Sequence, residues 1–140
     1  MTAFLWALLT AGIWGVVPLM EKLGLRGAVA PTVGVLVRSV GIVIGLVVFI
    51  VVWSPWAALR TLSWSSIALL AGGGFLASFV GQLAFYQALK TGAISQMTPV
   101  AGAYPLVAAL LGWWVLREPL TLTRALGALC VVIGVVLLRK

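Results

Sequence analysis

The stretch PTVGVLVRSVGIVIGLVVFIVVW, residues 31–53, decides the fold. It stays apolar for longer than the roughly 20 residues that a helix needs to cross about 30 Å of hydrocarbon. Its single charged residue is Arg38. Pro31 suits a first helical turn, where its missing N–H has no intrahelical partner to lose. Working outward, the same hydropathy pattern predicts helices over 3–20, 66–89, 94–116 and 122–138. Lys90-Thr91-Gly92 closes the third, and Arg117-Glu118-Pro119 stops the fourth, because proline disfavours helix in the residue before it. The expected fold class is therefore an all-α integral membrane protein, a five-transmembrane-helix bundle with residues 1–140 as one domain. Met1-Thr2-Ala3 carries no basic region, so the first helix is expected to be retained rather than cleaved as a signal peptide. An odd number of spans puts the termini on opposite sides of the bilayer and prevents the chain from being its own inverted repeat.

Composition agrees. The chain is 64% hydrophobic and 8% charged, with a mean hydropathy of +1.25, whereas soluble domains carry roughly 45–50% apolar and about 25% charged residues. A net charge of +7 in a soluble domain would suggest a nucleic-acid partner. Here the basic residues stand singly in turns and at ends, which reads as membrane-orienting charge with no nucleic acid implied. Cys130 is the lone cysteine, which excludes an intrachain disulfide and reads as a small packing residue. With no Asp or His, the sequence offers no metal set, no acid/base pair and no nucleophile beside a base. Neither enzyme activity nor a cofactor is expected.

Call the side of the N-terminus face A. It holds Arg60, Arg117 and Arg124, while face B holds Lys22, Arg26, Lys90, Arg139 and Lys140. The basic excess makes face B cytoplasmic, with the N-terminus outside and the C-terminus inside, in the cell (cytoplasmic or inner) membrane. The bias is small enough that insertion in both orientations stays open. Trp53, Trp56, Trp64, Trp113 and Trp114, with Trp6 close behind, fall near face A and read as an interfacial aromatic belt.

Membrane helices associate through small residues that let backbones approach. Such seams are Ala7, Ala11 and Gly15 on the first helix, Gly34, Gly41 and Gly45 on the second, and Gly73, Ala77, Gly81, Ala84 and Ala88 on the third. The fourth offers Ala101, Pro105, Ala108 and Gly112, and the fifth Gly127 and Gly134. A packed bundle is expected from them. Arg38 shares the Gly34/Gly41 face and should meet protein, since a charge near a helix centre costs about 2.5–3.5 kcal/mol on insertion scales. Snorkelling to headgroups is the competing reading. Gln82 and Tyr86 share one face of the third helix with Gly74 and Ser78, and a buried amide there needs a neighbouring helix or a wet cavity. Pro99 and Pro105, around Gly102, remove two backbone donors and should kink the fourth helix. Gln96 and Tyr104 project from that segment, and Trp14 lies in a Trp6, Thr10, Trp14, Pro18 stripe on the first helix. Together Trp14, Arg38, Gln82, Tyr86, Gln96 and Tyr104 are the candidate substrate-path residues, with Pro99 and Pro105 as helix-kink residues. Glu21 and Glu118 read as lying at membrane edges, so no buried carboxylate switch is expected, and Glu118 is expected to pair locally with Arg117 or Arg124.

The order of these features resembles the EamA domain of the drug/metabolite transporter superfamily, in its half-size five-helix form. The resemblance rests on Trp14-Gly15, Lys22-Leu23-Gly24, Arg38, Ala88-Leu89-Lys90-Thr91-Gly92-Ala93, Pro99, Pro105, Leu116-Arg117-Glu118-Pro119-Leu120-Thr121, and Gly127-Ala128 with Gly134. It spans nearly the whole chain. It implies an EamA-like half unit, one repeat of a ten-helix fold in which two five-helix units lie inverted about a central cavity. It also implies transport of small metabolites, amino acids or amphipathic compounds as a uniporter, exchanger or exporter. A chain of one unit is then expected to act by alternating access as a homodimer, antiparallel where insertion allows, with the lipid bilayer and a small-molecule solute as its other partners. The competing reading is a non-transporting membrane subunit, either lipid-binding or an assembly component of a larger complex.

Overall fold

The computed structural model describes residues 3–119 and 121–138. Met1 and Thr2 of the expected retained start, Leu120 of the turn motif, and the face B charges Arg139 and Lys140 lie outside the described residues. Every regular element among the described residues is helical: α1 (Ala3–Gly24), α2 (Pro31–Trp53), the short α3 (Trp56–Leu59), α4 (Trp64–Phe75), a π-helical turn (Leu76–Val80), α5 (Gly81–Thr91), α6 (Ile94–Ala101), α7 (Tyr104–Leu116) and α8 (Leu122–Leu137). By length and composition, Ala3–Gly24, Pro31–Trp53, Trp64–Thr91 and Ile94–Leu116 can each cross a membrane, and Leu122–Leu138 is a shorter apolar helix. The helices group into two compact units, Met1–Lys90 and Thr91–Lys140.

In the first unit, α1 runs on to Gly24 rather than stopping at Met20, so Glu21 and Lys22 are helical residues. Gly27, with φ +73, turns the chain back toward α2, which opens with Pro31 in its first turn. The Ser63 hydroxyl accepts from the Ser66 N–H at 3.1 Å and starts α4 at Trp64 rather than Ser66. Buried side chains gather at one end of this unit: Leu25, Val35, Tyr86 and Leu89, with Gln82. Two lysines tie the same end, Lys22 donating through Nζ to the Leu89 carbonyl and Lys90 to the Val29 carbonyl. Those carbonyls close α5 and the α1–α2 loop, where the helix ladder leaves acceptors unpaired.

Elsewhere the helices expose large apolar side chains, which is what a lipid solvent permits, because it supplies no hydrophobic drive between helices. The expected seams are therefore only partly used. At Gly15, Gly41, Gly45, Gly73, Gly127 and Gly134 an added Cβ would meet nothing within 4 Å, while Gly34 lies against Leu25 and Tyr86. Close approach is concentrated where polar groups need partners, not spread along every helix.

In the second unit the helical ladder breaks at Gly102 and Ala103, between Pro99 inside α6 and Pro105 in the first turn of α7. Tighter bonds bridge the break, Ala103 N–H to the Val100 carbonyl at 3.2 Å and Leu106 N–H to the Ala103 carbonyl at 2.9 Å. The turn before α8 is organised by Arg124, whose Nη1 lies 3.6 Å from the Glu118 carboxylate and donates to the Pro119 carbonyl at 3.1 Å. Both side chains of that pair are more than half exposed.

Two helix ends adopt the left-handed conformation without glycine, Ser54 (φ 43) and Arg117 (φ 54). Left-handed backbone costs an L-residue roughly 1–2 kcal/mol. Ser54→Gly is therefore expected to raise thermal stability in detergent by an amount at the lower end of that range, and a lowered melting temperature would contradict the assigned cap.

Candidate functional site

The tied end of the first unit holds a buried polar cluster centred on Glu21. The last turn of α1 presents its carboxylate, α2 supplies Arg38 two turns from its start, and α5 supplies Gln82 and Tyr86, one turn apart on the same face. Glu21 Oε1 accepts from Gln82 Nε2 at 2.8 Å and from the Tyr86 hydroxyl at 3.0 Å, and Arg38 Nε lies 3.4 Å away. Glu21 Oε2 is buried and has no hydrogen-bond partner among the described residues. The Glu21 side chain is 9% exposed and that of Arg38 31%, so the carboxylate is enclosed while the guanidinium keeps one edge open. Arg38 Nη1 also reaches the Ser78 carbonyl through a long 3.5 Å contact.

Gly34 makes this geometry attainable. A Cβ at that position would lie 2.8 Å from both Tyr86 Cε2 and Leu25 Cδ2. The missing side chain lets the Tyr86 ring lie on the α2 backbone with its hydroxyl aimed at Glu21. Beside the cluster an open groove of about 590 Å³ is walled by Val17, Met20, Val33 and Val37, with Glu21 and Arg38 among its lining residues. A charged pair on the wall of an otherwise apolar groove is an arrangement found where a membrane protein meets a polar solute. A second groove, of about 760 Å³ in the other unit, is apolar apart from the exposed Glu118–Arg124 pair.

The structure brings Arg38, Gln82 and Tyr86 together. Trp14 lies two turns before Glu21 on α1 and is exposed. Gln96 and Tyr104 belong to the second unit, where Gln96 Nε2 donates to the Leu138 carbonyl at 2.6 Å, an interhelical tie. Tyr104 opens α7 and is exposed. The residue that sequence reasoning missed is Glu21. Sequence reasoning read Glu21 as the polar end of a span, but α1 continues a further turn, which brings the Glu21 carboxylate into contact with α2 and α5. Glu118 does lie in an exposed turn. Among the described residues, no group of three His, Cys, Asp or Glu side chains could hold a metal ion.

Neither curated proteins nor solved structures gave a match to this chain. A family model does, and it matches residues 1–140, the full sequence that also carries the helices and cluster described above: the chain belongs to the EamA-like transporter family.

Proposed function

We propose that this chain is one half of a transporter for small metabolites, amino acids or amphipathic compounds. Two copies pair as inverted halves and expose a shared path alternately to the two sides of the cell membrane. The observation that carries this reading is the Glu21 cluster. A largely buried carboxylate accepts two hydrogen bonds on one oxygen beside the Arg38 guanidinium, has no hydrogen-bond partner on the other among the described residues, and lines an apolar groove. Leaving a buried polar atom unpaired costs about 1–3 kcal/mol, so a side-chain rearrangement that turns Oε2 toward an N–H or O–H donor in the groove is favoured. Arg38 compensates the charge of Glu21, which leaves the groove suited to solutes without a large net charge. Arg38, Gln82 and Tyr86 are its nearest path residues. Trp14, Gln96 and Tyr104 stay as more distant path candidates, with Pro99 and Pro105 shaping the helix that carries the last two.

The test is solute flux across reconstituted vesicles loaded with a panel of amino acids, organic amines and small metabolites. Saturable exchange of at least one class is expected, with competition among members of that class. Absence of flux over the panel, together with co-purification of a monomer with a larger membrane partner, would instead indicate a non-transporting subunit. Cysteine labelling of the two termini tests the assembly. Labelling of each terminus from both sides is expected of inverted halves, and a single orientation with self-pairing only would overturn the inverted dimer.

A further inference from the structure

We infer that the π-helical turn Leu76–Val80 is a hinge about which α4 pivots on α5, and that Arg38 is the positioning residue that ties this hinge to the Glu21 cluster. The proposal extends the transporter reading by naming the moving part, and its structural half stands independently of that reading.

The two halves of the Trp64–Thr91 helix are held very differently. On one side, α5 buries Gln82, Tyr86 and Leu89, and its end accepts from Lys22. On the other, α4 has no buried residue. Between them the ladder changes pitch: the Gly81 N–H reaches back five residues to the Leu76 carbonyl, and the Leu76 N–H is shared between the Gly72 and Gly73 carbonyls. A π turn within an α-helix is rare and recurs at functional sites. The turn is preceded by Gly72, Gly73 and Gly74, none of which would bring an added Cβ within 4 Å of another group. Three glycines in a row weaken a helix by about 1 kcal/mol each relative to alanine, and here no packed neighbour requires their small size. An anchored half, an unanchored half and a weak segment at their boundary are the parts of a pivot. The Arg38 contact with the Ser78 carbonyl falls inside the turn, and the same guanidinium holds Glu21. A solute that draws Arg38 or Glu21 toward the groove therefore alters a restraint on the joint.

Hydrogen exchange on the full chain in lipid nanodiscs tests this. Amides of residues 77–81 are expected to exchange at least about tenfold faster than those of Leu83–Tyr86, while the interior of α4 stays protected. Arg38→Ala should widen the difference. Two variants should remove it: deletion of Ala77, which returns the turn to α-helical pitch, and the triple change Gly72→Ala, Gly73→Ala, Gly74→Ala, for which there is room. Where the parent protein carries solute, both stiffened variants should keep solute binding but lose most of the flux. Uniform protection from 64 to 91, fast exchange throughout α4, or a fast turn unchanged in both stiffened variants would overturn the hinge. These readings need no transport activity, so a failed flux assay leaves the hinge result standing.

Discussion

Glu21→Ala is expected to abolish flux and to lower stability more than any other single side-chain truncation in the first unit. The change strands two donors and a cation at once: Gln82 Nε2 and the Tyr86 hydroxyl donate to Glu21 Oε1, and Arg38 Nε pairs with it at 3.4 Å. Breaking a buried ion pair by removing one partner costs about 3–5 kcal/mol. The 31% exposure of Arg38 brings the value to the lower end, because its freed charge can reach water or headgroups. Glu21→Gln keeps a carbonyl acceptor for the two neutral donors, so it should fold with a smaller loss of stability while still failing to transport. Arg38→Ala should impair stability and flux, and the Glu21→Ala, Arg38→Ala double variant should be less unstable than the two single losses added together. Arg60→Ala and Glu118→Ala are the comparisons. The Glu118–Arg124 pair is exposed on both sides, and such pairs contribute about 0–1 kcal/mol. Melting temperatures in detergent and flux in vesicles check the set. Strict additivity of the Glu21 and Arg38 losses, or equal behaviour of Arg38→Ala and Arg60→Ala, would remove the ion pair from the site.

Hydropathy alone made the helices legible, because a bilayer imposes a length and a composition on anything that crosses it. Face arguments marked Gln82 and Tyr86 for a neighbouring helix or a wet cavity, and Arg38 for a protein partner with snorkelling as the alternative, since a charge or amide in hydrocarbon needs a partner. The partner itself was harder to see. Glu21 and Lys22 looked like the polar end of a span, and nothing local in the sequence distinguishes a helix that stops at Met20 from one that continues to Gly24. The usable signal was scarcity. The chain has two acidic residues, and on the expected topology Glu21 is the acidic side chain that shares face B with the nearer end of the helix carrying Arg38. The π turn left less trace, because a one-residue change of pitch keeps the apolar pattern, with Gly72-Gly73-Gly74 as the single local hint. The seams misled for a related reason: small residues permit approach without compelling it, and Gly41 and Gly45 look the same as Gly34 in sequence.

That contrast between Gly34 and its neighbours on α2 gives the second large effect. Gly34→Ala is expected to destabilise the first unit by about 1–3 kcal/mol, the usual range for an overpacked site, and to depress flux with it. The new methyl would lie 2.8 Å from Leu25 Cδ2 and from Tyr86 Cε2, with Tyr86 Cδ2 at 2.9 Å. Leu25 can yield by rotating its end. Tyr86 cannot yield cheaply, because it is 3% exposed and its hydroxyl is held by Glu21, so moving the ring sacrifices that bond as well. Replacing Tyr86 by the smaller, more flexible leucine makes room, and Gly34→Ala in a Tyr86→Leu background should therefore cost much less than in the parent. At Gly41 and Gly45 a methyl meets nothing within 4 Å, and alanine is the better helix former by about 0.8–1 kcal/mol. Gly41→Ala and Gly45→Ala should accordingly leave stability unchanged or raise it. Three glycines on one helix then respond with opposite signs, which a general intolerance of substitution in α2 cannot produce. Should Gly34→Ala behave as Gly41→Ala does, the Tyr86 ring does not rest on the α2 backbone, and the route by which its hydroxyl reaches Glu21 is lost with it.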